Sequence, residues 1–211
     1  MAAPIRKRAR GLRPDPELAR FARMRVFLDF EASSLGKRGF PIEIAWMFET
    51  GEGESHLIRP ALGWTDWDQG AEAIHHILRS TLESEGEPHD RVARRMIEAL
   101  DGHDLYASAP SWDGKWLSAL LRAASLPRHR LRLRASQIAR RESVTEILAS
   151  VLEGEALAER VEAVLARAQA EARAAPVSHR ALDDAEQERQ RWLAACRMAE
   201  AERAGIRGGD A

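Results

Sequence analysis

Three short stretches hold the residues best suited to chemistry. Asp29 and Glu31 close the run Met24-Arg25-Val26-Phe27-Leu28-Asp29-Phe30-Glu31, Asp113 opens a helical pattern, and Ser178-His179-Arg180-Ala181-Leu182-Asp183-Asp184-Ala185 sets a histidine among acids. Carboxylates at apolar positions are costly to bury unless a cation takes up their charge. Hard oxygen donors of this kind suit Mg²⁺ or Mn²⁺ rather than a soft metal. A histidine beside them titrates near neutrality and can take a proton from water. Together these residue types suit metal-assisted hydrolysis.

Each stretch needs an element to position it. The β-branched and aromatic enrichment of 24–31 predicts a strand buried on both faces. Its side chains alternate, so Val26, Leu28 and Phe30 share one face while Phe27, Asp29 and Glu31 share the other. The two acids then stand roughly 6 to 7 Å apart, close enough to serve one ion or an adjacent pair. Read alone, the same acids could simply mark the strand's emergence into solvent. Asp113 precedes Gly114-Lys115-Trp116-Leu117-Ser118-Ala119-Leu120-Leu121, whose apolar stripe lies on Asp113's own side at helical spacing. A bare N-cap is the alternative for this acid.

Helical spacing does not choose between Asp183 and Asp184. In a helix starting at His179, Asp183 at i+4 sits beneath the imidazole and Asp184 is about 140° around the axis. With His179 on a preceding loop, that objection to Asp184 disappears.

The set Phe27-Leu28-Asp29-Phe30-Glu31, then Trp112-Asp113, then His179-x-Ala181-x-x-Asp184-Ala185 resembles the DEDDh 3'-to-5' exonuclease family, which includes ribonuclease T, oligoribonuclease and proofreading exonucleases. Pro41-Ile42-Glu43-Ile44-Ala45 is similar to the family's second strand, and Ala73-Ile74-His75-His76-Ile77 to its A-x-I-H-G-I segment. The resemblance implies an RNase H-like α/β fold, with Asp29, Glu31, Asp113 and Asp184 as ligands of two divalent ions, Mg²⁺ or Mn²⁺, and His179 as general base. It implies that backbone groups around Ala32, Ser33, Ser34 and Leu35 meet the terminal nucleotide, with Leu35 packing on a base, and that His75 contacts substrate. The implied reaction is hydrolysis of the terminal phosphodiester at the 3' end of single-stranded RNA or DNA, with RNA slightly favoured.

Three departures accompany the resemblance. The family's middle motif carries an Asn within H-N-A-x-F-D, whereas this chain reads Ser108-Ala109-Pro110-Ser111-Trp112-Asp113. His76 stands at the family's usual Gly, and a long charged helical insert precedes His179.

With 211 residues, 45% of them hydrophobic, and no apolar run of membrane length, the chain is expected to form one globular domain over 24–204 and to have no membrane partner. The single cysteine, Cys196, makes no internal disulfide and suits a reducing cytoplasm. Lys+Arg total 32 against 33 for Asp+Glu, but the charge is uneven. Residues 1–23 read as a basic disordered arm, and 205–211 as a frayed tail. Arg128-His129-Arg130-Leu131-Arg132-Leu133-Arg134 alternates charge with leucine, as a strand with one solvated face or a phosphate-contacting one.

Strands are expected near 24–31, 42–49, 54–59, 103–107 and 130–135, giving a mixed central sheet of about five strands flanked by helices. Helices are expected near 70–83, 90–101, 114–124, 143–152, 155–174 and 181–203, with Pro176 as a breaker. The 155–174 helix reads as solvated, or as a lid or partner surface. Trp46 and Trp112 are expected in the core, whereas Trp64 and Trp67 are candidate stacking platforms. A catalytically weak nucleic-acid-binding regulator is the second functional class, and a helical adaptor the third. The sequence leaves a homodimer open.

Overall fold

The structure is a computed structural model that describes residues 23–172 and 179–209. The basic arm up to residue 22, Pro176 with the rest of 173–178, and residues 210–211 lie outside the described residues. A single sheet runs β4-β3-β2-β1-β5-β6. Its strands are β1 (Arg25–Ala32), β2 (Pro41–Phe48), β3 (Gly53–Arg59), β4 (Glu87–Pro88), β5 (Asp104–Ala107) and β6 (Leu133–Ala135). The helices are α1 (Gln69–His75), α2 (Arg79–Ser84), α3 (His89–Leu100), α4 (Pro110–Ala123), α5 (Ser136–Leu148), α6 (Gly154–Ala172) and α7 (Ala181–Gly209).

β1 lies inside the sheet, antiparallel to β2 and parallel to β5, so it is buried on both faces as its composition requires. Val26, Leu28 and Phe30 join Ile44 and Trp46 in a core with Met96 of α3 and Leu120 of α4. Phe27 points the other way, packing with Tyr106, Ala139 and Trp192 toward α5 and α7. Asp29 and Glu31 follow Phe27's alternation onto that second face. Leu28 is 1% exposed, and Leu28→Ala there costs about 2–5 kcal/mol.

The α/β class and mixed sheet are those expected, and four differences have physical causes. Glu87–Pro88 adds a short sixth strand beside β3. The 70–83 helix is two helices, broken where His76 turns left-handed at φ 57. The helix expected over 143–152 runs Ser136–Leu148, and its buried side carries Ser136, Ala139, Ser143, Val144 and Leu148. Small residues fill its first turns, so no apolar stripe announces them. The last helix continues to Gly209, into the stretch read as a frayed tail.

α6 is neither wholly solvated nor detached. Val161, Val164 and Ala168 pack with Val144 and Leu148 of α5 and Ala195 and Ala199 of α7. Of the basic stretch, only Leu133–Ala135 forms strand. Arg130 pairs with Asp101 and Arg134 with Glu142, so acids already answer two of its charges.

Candidate active site

Two elements converge on the carboxylates of β1. α7 crosses β1 and β2, and Ala181 and Ala185 of its first turns are fully buried. Ala45, the register partner of Asp29 on β2, is fully buried too. Small side chains on both elements let the helix approach the sheet closely. Asp29, Glu31 and Asp184 consequently offer carboxylate oxygens that lie within 4.8 Å of one another. Asp183, next in sequence, is exposed. α7 starts at Ala181, so His179 stands on the preceding segment, exposed and with φ 52.

The cluster is electrostatically unfavourable when its acids are ionised. Burial pushes Asp29 well above the usual carboxylate range, and Asp113, Glu31, Asp184 and Glu188 push it further. Glu31 rises to about 7, chiefly through burial, then through Asp184 and Glu43, with Arg180 opposing. Asp113 also rises to about 7 by burial, against a lowering from nearby backbone N–H groups. Hard oxygen donors this close and this reluctant to ionise together fit divalent cations, which favour the ionised forms.

Asp113 is not an N-cap. α4 begins at Pro110, its N-cap is Ala109 without a side-chain cap, and Asp113 lies in the first turn, 3% exposed. Trp116, Leu117 and Leu120 are buried on its side of the helix as the stripe requires. The Ala109 N–H donates to Asp113 Oδ2 at 3.3 Å. Ala109 lies four positions before Asp113, where H-N-A-x-F-D would put Asn. Trp112, expected in the core, is 43% exposed; it lies one turn before the buried Trp116 and stacks against it, with ring centroids 6.2 Å apart.

The residues expected to contact substrate differ in burial. Ser33 is fully buried, with its N–H donating to the Phe40 carbonyl at 2.9 Å, its carbonyl accepting from Asp68 at 2.9 Å, and its hydroxyl accepting from the Phe40 N–H at 3.1 Å. Ser34 Oγ donates to Asp66 Oδ2 at 2.5 Å and accepts from the Gly36 N–H at 3.1 Å. These two serines build the strand-exit turn instead of presenting polar groups outward. Ala32 is half-buried and Leu35 is 68% exposed, so both remain accessible. His75 is 2% exposed, its Nδ1 accepts from the Ile77 N–H at 3.0 Å, and burial lowers its pKa. It packs beneath the surface, its Nε2 without a hydrogen-bond partner among the described residues. Lys115 ties this turn to α4, donating to the Gly36 carbonyl at 2.6 Å with its ammonium 4.0 Å from the Trp116 ring centroid.

Sequence reasoning overlooked Glu43 and Glu188. Glu43, in the quoted Pro41-Ile42-Glu43-Ile44-Ala45 segment, received no role, although an acid amid apolar strand residues is itself a signal. Glu188 is 5% exposed, four residues beyond Asp184 on α7, and pairs with Arg140 at 3.0 Å and with Arg191. With Asp29, Ser108, Asp184, Gln187 and Arg191 it lines a cavity of about 150 Å³.

No protein-family profile and no curated protein matches the chain. Solved structures do. Exonuclease I from Methylocaldum szegediense is similar over 82% of this chain and 40% of its own, at 15% identity and a TM-score of 0.59. E. coli Exonuclease I in complex with a dA16 oligonucleotide is similar over 85% of this chain and 43% of its own, at 13% identity and a TM-score of 0.58. An apo Exonuclease I structure gives 85%, 44%, 14% and 0.57 in the same order. The chain spans about two fifths of the length of these proteins. Over most of its own length it has the α/β fold of the exonuclease I structures.

Proposed function

We propose that the chain is a metal-dependent 3'-to-5' exonuclease that hydrolyses the terminal phosphodiester of single-stranded nucleic acid. The observation that carries this reading is the approach of carboxylate oxygens of Asp29, Glu31 and Asp184 to within 4.8 Å of one another. The fold shared with Exonuclease I supports it.

Asp29, Glu31, Asp113 and Asp184 would hold two Mg²⁺ or Mn²⁺ ions. Bound there, the ions would supply Lewis acidity at the scissile phosphate and lower the pKa of the attacking water. His179 takes the proton from that water, its exposure leaving it open to exchange the proton with solvent afterwards. The exposed Leu35 and Trp112 offer apolar faces to the terminal bases. Single-stranded DNA is the first substrate to try, because two of the similar structures hold dA16 and dT13 oligonucleotides. The lean of the sequence toward RNA gains no support from them. Among the described residues no helix is long and apolar enough to cross a membrane, and the free Cys196 accords with a reducing cytoplasm.

Ala109 at the family's Asn position favours one other reading, a nucleic-acid binder with weak or no turnover. Incubating the protein with 5'-labelled single strands of DNA and of RNA, in Mg²⁺, Mn²⁺ or chelator, separates the two. A ladder shortening from the 3' end only with metal is the expected result. Strand retained but uncut under every metal condition overturns the nuclease.

A further inference from the structure

Glu43 sits between Ile42 and Ile44 in β2 and is 1% exposed. A carboxylate in such a place must be fully partnered. Arg180 meets it with a fork, Nη2 donating to Oε1 at 2.7 Å and Nε to Oε2 at 3.1 Å. The Ala181 N–H donates to Oε2 at 3.1 Å, and Ser55 Oγ donates to Oε1 at 3.3 Å. Ala181 is the first residue of α7, so its amide is one that the helix cannot satisfy internally. A negative charge at that end also complements the helix dipole.

Glu43 is the register partner of Glu31, so the start of α7 is fastened to the sheet level with a candidate metal ligand. His179 immediately precedes the fastened pair and holds φ 52, a left-handed conformation unfavourable for a residue with a Cβ. Such a conformation persists where its surroundings over-determine it. The fork to Arg180 and the bond to Ala181 fix the chain directly after His179.

We infer that Glu43 is a positioning residue: by anchoring Arg180 and the Ala181 amide at the strand position facing Glu31, it holds His179 where it takes the proton from the attacking water. This inference rests on the reading of His179 as general base, and its test separates the two. Parent, Glu43→Gln, His179→Ala and the double variant are compared for kcat and KM on a 5'-labelled DNA strand with saturating Mn²⁺, at a temperature where all four are folded.

Glu43→Gln is expected to lower kcat about tenfold or more with KM within about twofold, since a misplaced base loses turnover and not binding. In the His179→Ala background the same change should leave kcat alone. A merely structural Glu43 would lower kcat by the same factor in both backgrounds, and that result overturns the inference while leaving the base in place. An unchanged kcat in His179→Ala defeats the general-base reading, and this inference with it. Should Glu43→Gln not fold, Arg180→Lys keeps the charge and loses the fork. It must then slow the parent and be silent without His179, or the inference falls.

Discussion

Glu31 and Glu43 face one another across β1 and β2, on the same side of the sheet and at the same level, yet their surroundings treat them oppositely. Glu43 is almost wholly buried and answered by four donor groups from Arg180, Ala181 and Ser55. Glu31 is less buried, and its pKa climbs to about 7 through burial first and then through Asp184 and Glu43 itself. Sequence alone would rank the two alike, as acids in apolar strands. The difference is that, among the described residues, one carboxylate is answered by four donors while the other sits among further acids, an arrangement that suits a ligand position under the proposed function.

The hardest blow to that contrast falls on the cluster that Glu31 shares with Asp29 and Asp184. Asp184→Asn removes a charged ligand at the cluster and is expected to cut 3'-end turnover by orders of magnitude, whereas Asp183→Asn, at an exposed position, should stay within about tenfold of the parent. Rates of 3'-terminal release from a labelled strand measure both. If Asp183→Asn proves the more damaging, the cluster is not where the chemistry happens.

A second test follows the protons. Glu31 titrates near 7 in the folded chain against an ordinary 4.5, so the metal-free fold binds a proton that the unfolded chain releases. This contribution to stability is complete below about pH 4.5 and is lost as pH rises through about 7. Metal binding requires the ionised form, so the rise in Tm on adding Mn²⁺ should be small at pH 5 and full at pH 8. Adding chelator should reverse it. Glu31→Gln should remove most of the rise, and its metal-free Tm should fall less than the parent's between these pH values. Equal Mn²⁺ shifts at pH 5 and pH 8 would sink the assignment of a metal to this cluster.

The satisfied side should answer in stability as well as in turnover. Glu43→Gln loses the charged half of its fork with Arg180 and is expected to cost about 1.5–3 kcal/mol in urea unfolding, the range for a hydrogen bond to a charged group. The Mn²⁺-induced rise in Tm should survive, because Glu43 is no ligand. A lost metal response in this variant would erase the contrast between the two glutamates.

What could be read from the sequence divides along physical lines. β1 was legible because the alternation of Val26, Leu28 and Phe30 against Phe27, Asp29 and Glu31 is a covalent fact of any strand, and the core confirms both faces. The inward side of α4 was legible for the same reason. The start of α5 was not, since Ser136, Ala139 and Ser143 are buried through close approach and not through hydrophobicity. Ser33, Ser34 and His75 carried expected roles by resemblance, but burial depends on contacts with Phe40, Asp66 and Ile77 that no local pattern encodes. Glu43 needed a partner, Arg180, far away in sequence.

The smallest expected effect lies on the other side of the cluster, at the start of α4, where Asp113 accepts from the Ala109 N–H and the helix has no side-chain cap. Asn is among the best N-caps and alanine among the poorest, because an amide oxygen can accept from the free N–H groups of the first turn. Ala109→Asn is therefore expected to stabilise the fold by about 0.5–1 kcal/mol, read as a higher urea midpoint at constant m-value. The gain depends on the side chain finding the Trp112 or Ser111 amide without displacing Asp113, whose oxygen already uses the backbone of the same residue. If the variant is destabilised while Ala109→Gly, which adds no side chain, is tolerated, then the space at residue 109 belongs to Asp113. In that case the two sides of the cluster are more alike than their hydrogen bonds suggest, because Asp113 would then be held in place by the protein as tightly as Glu43 is.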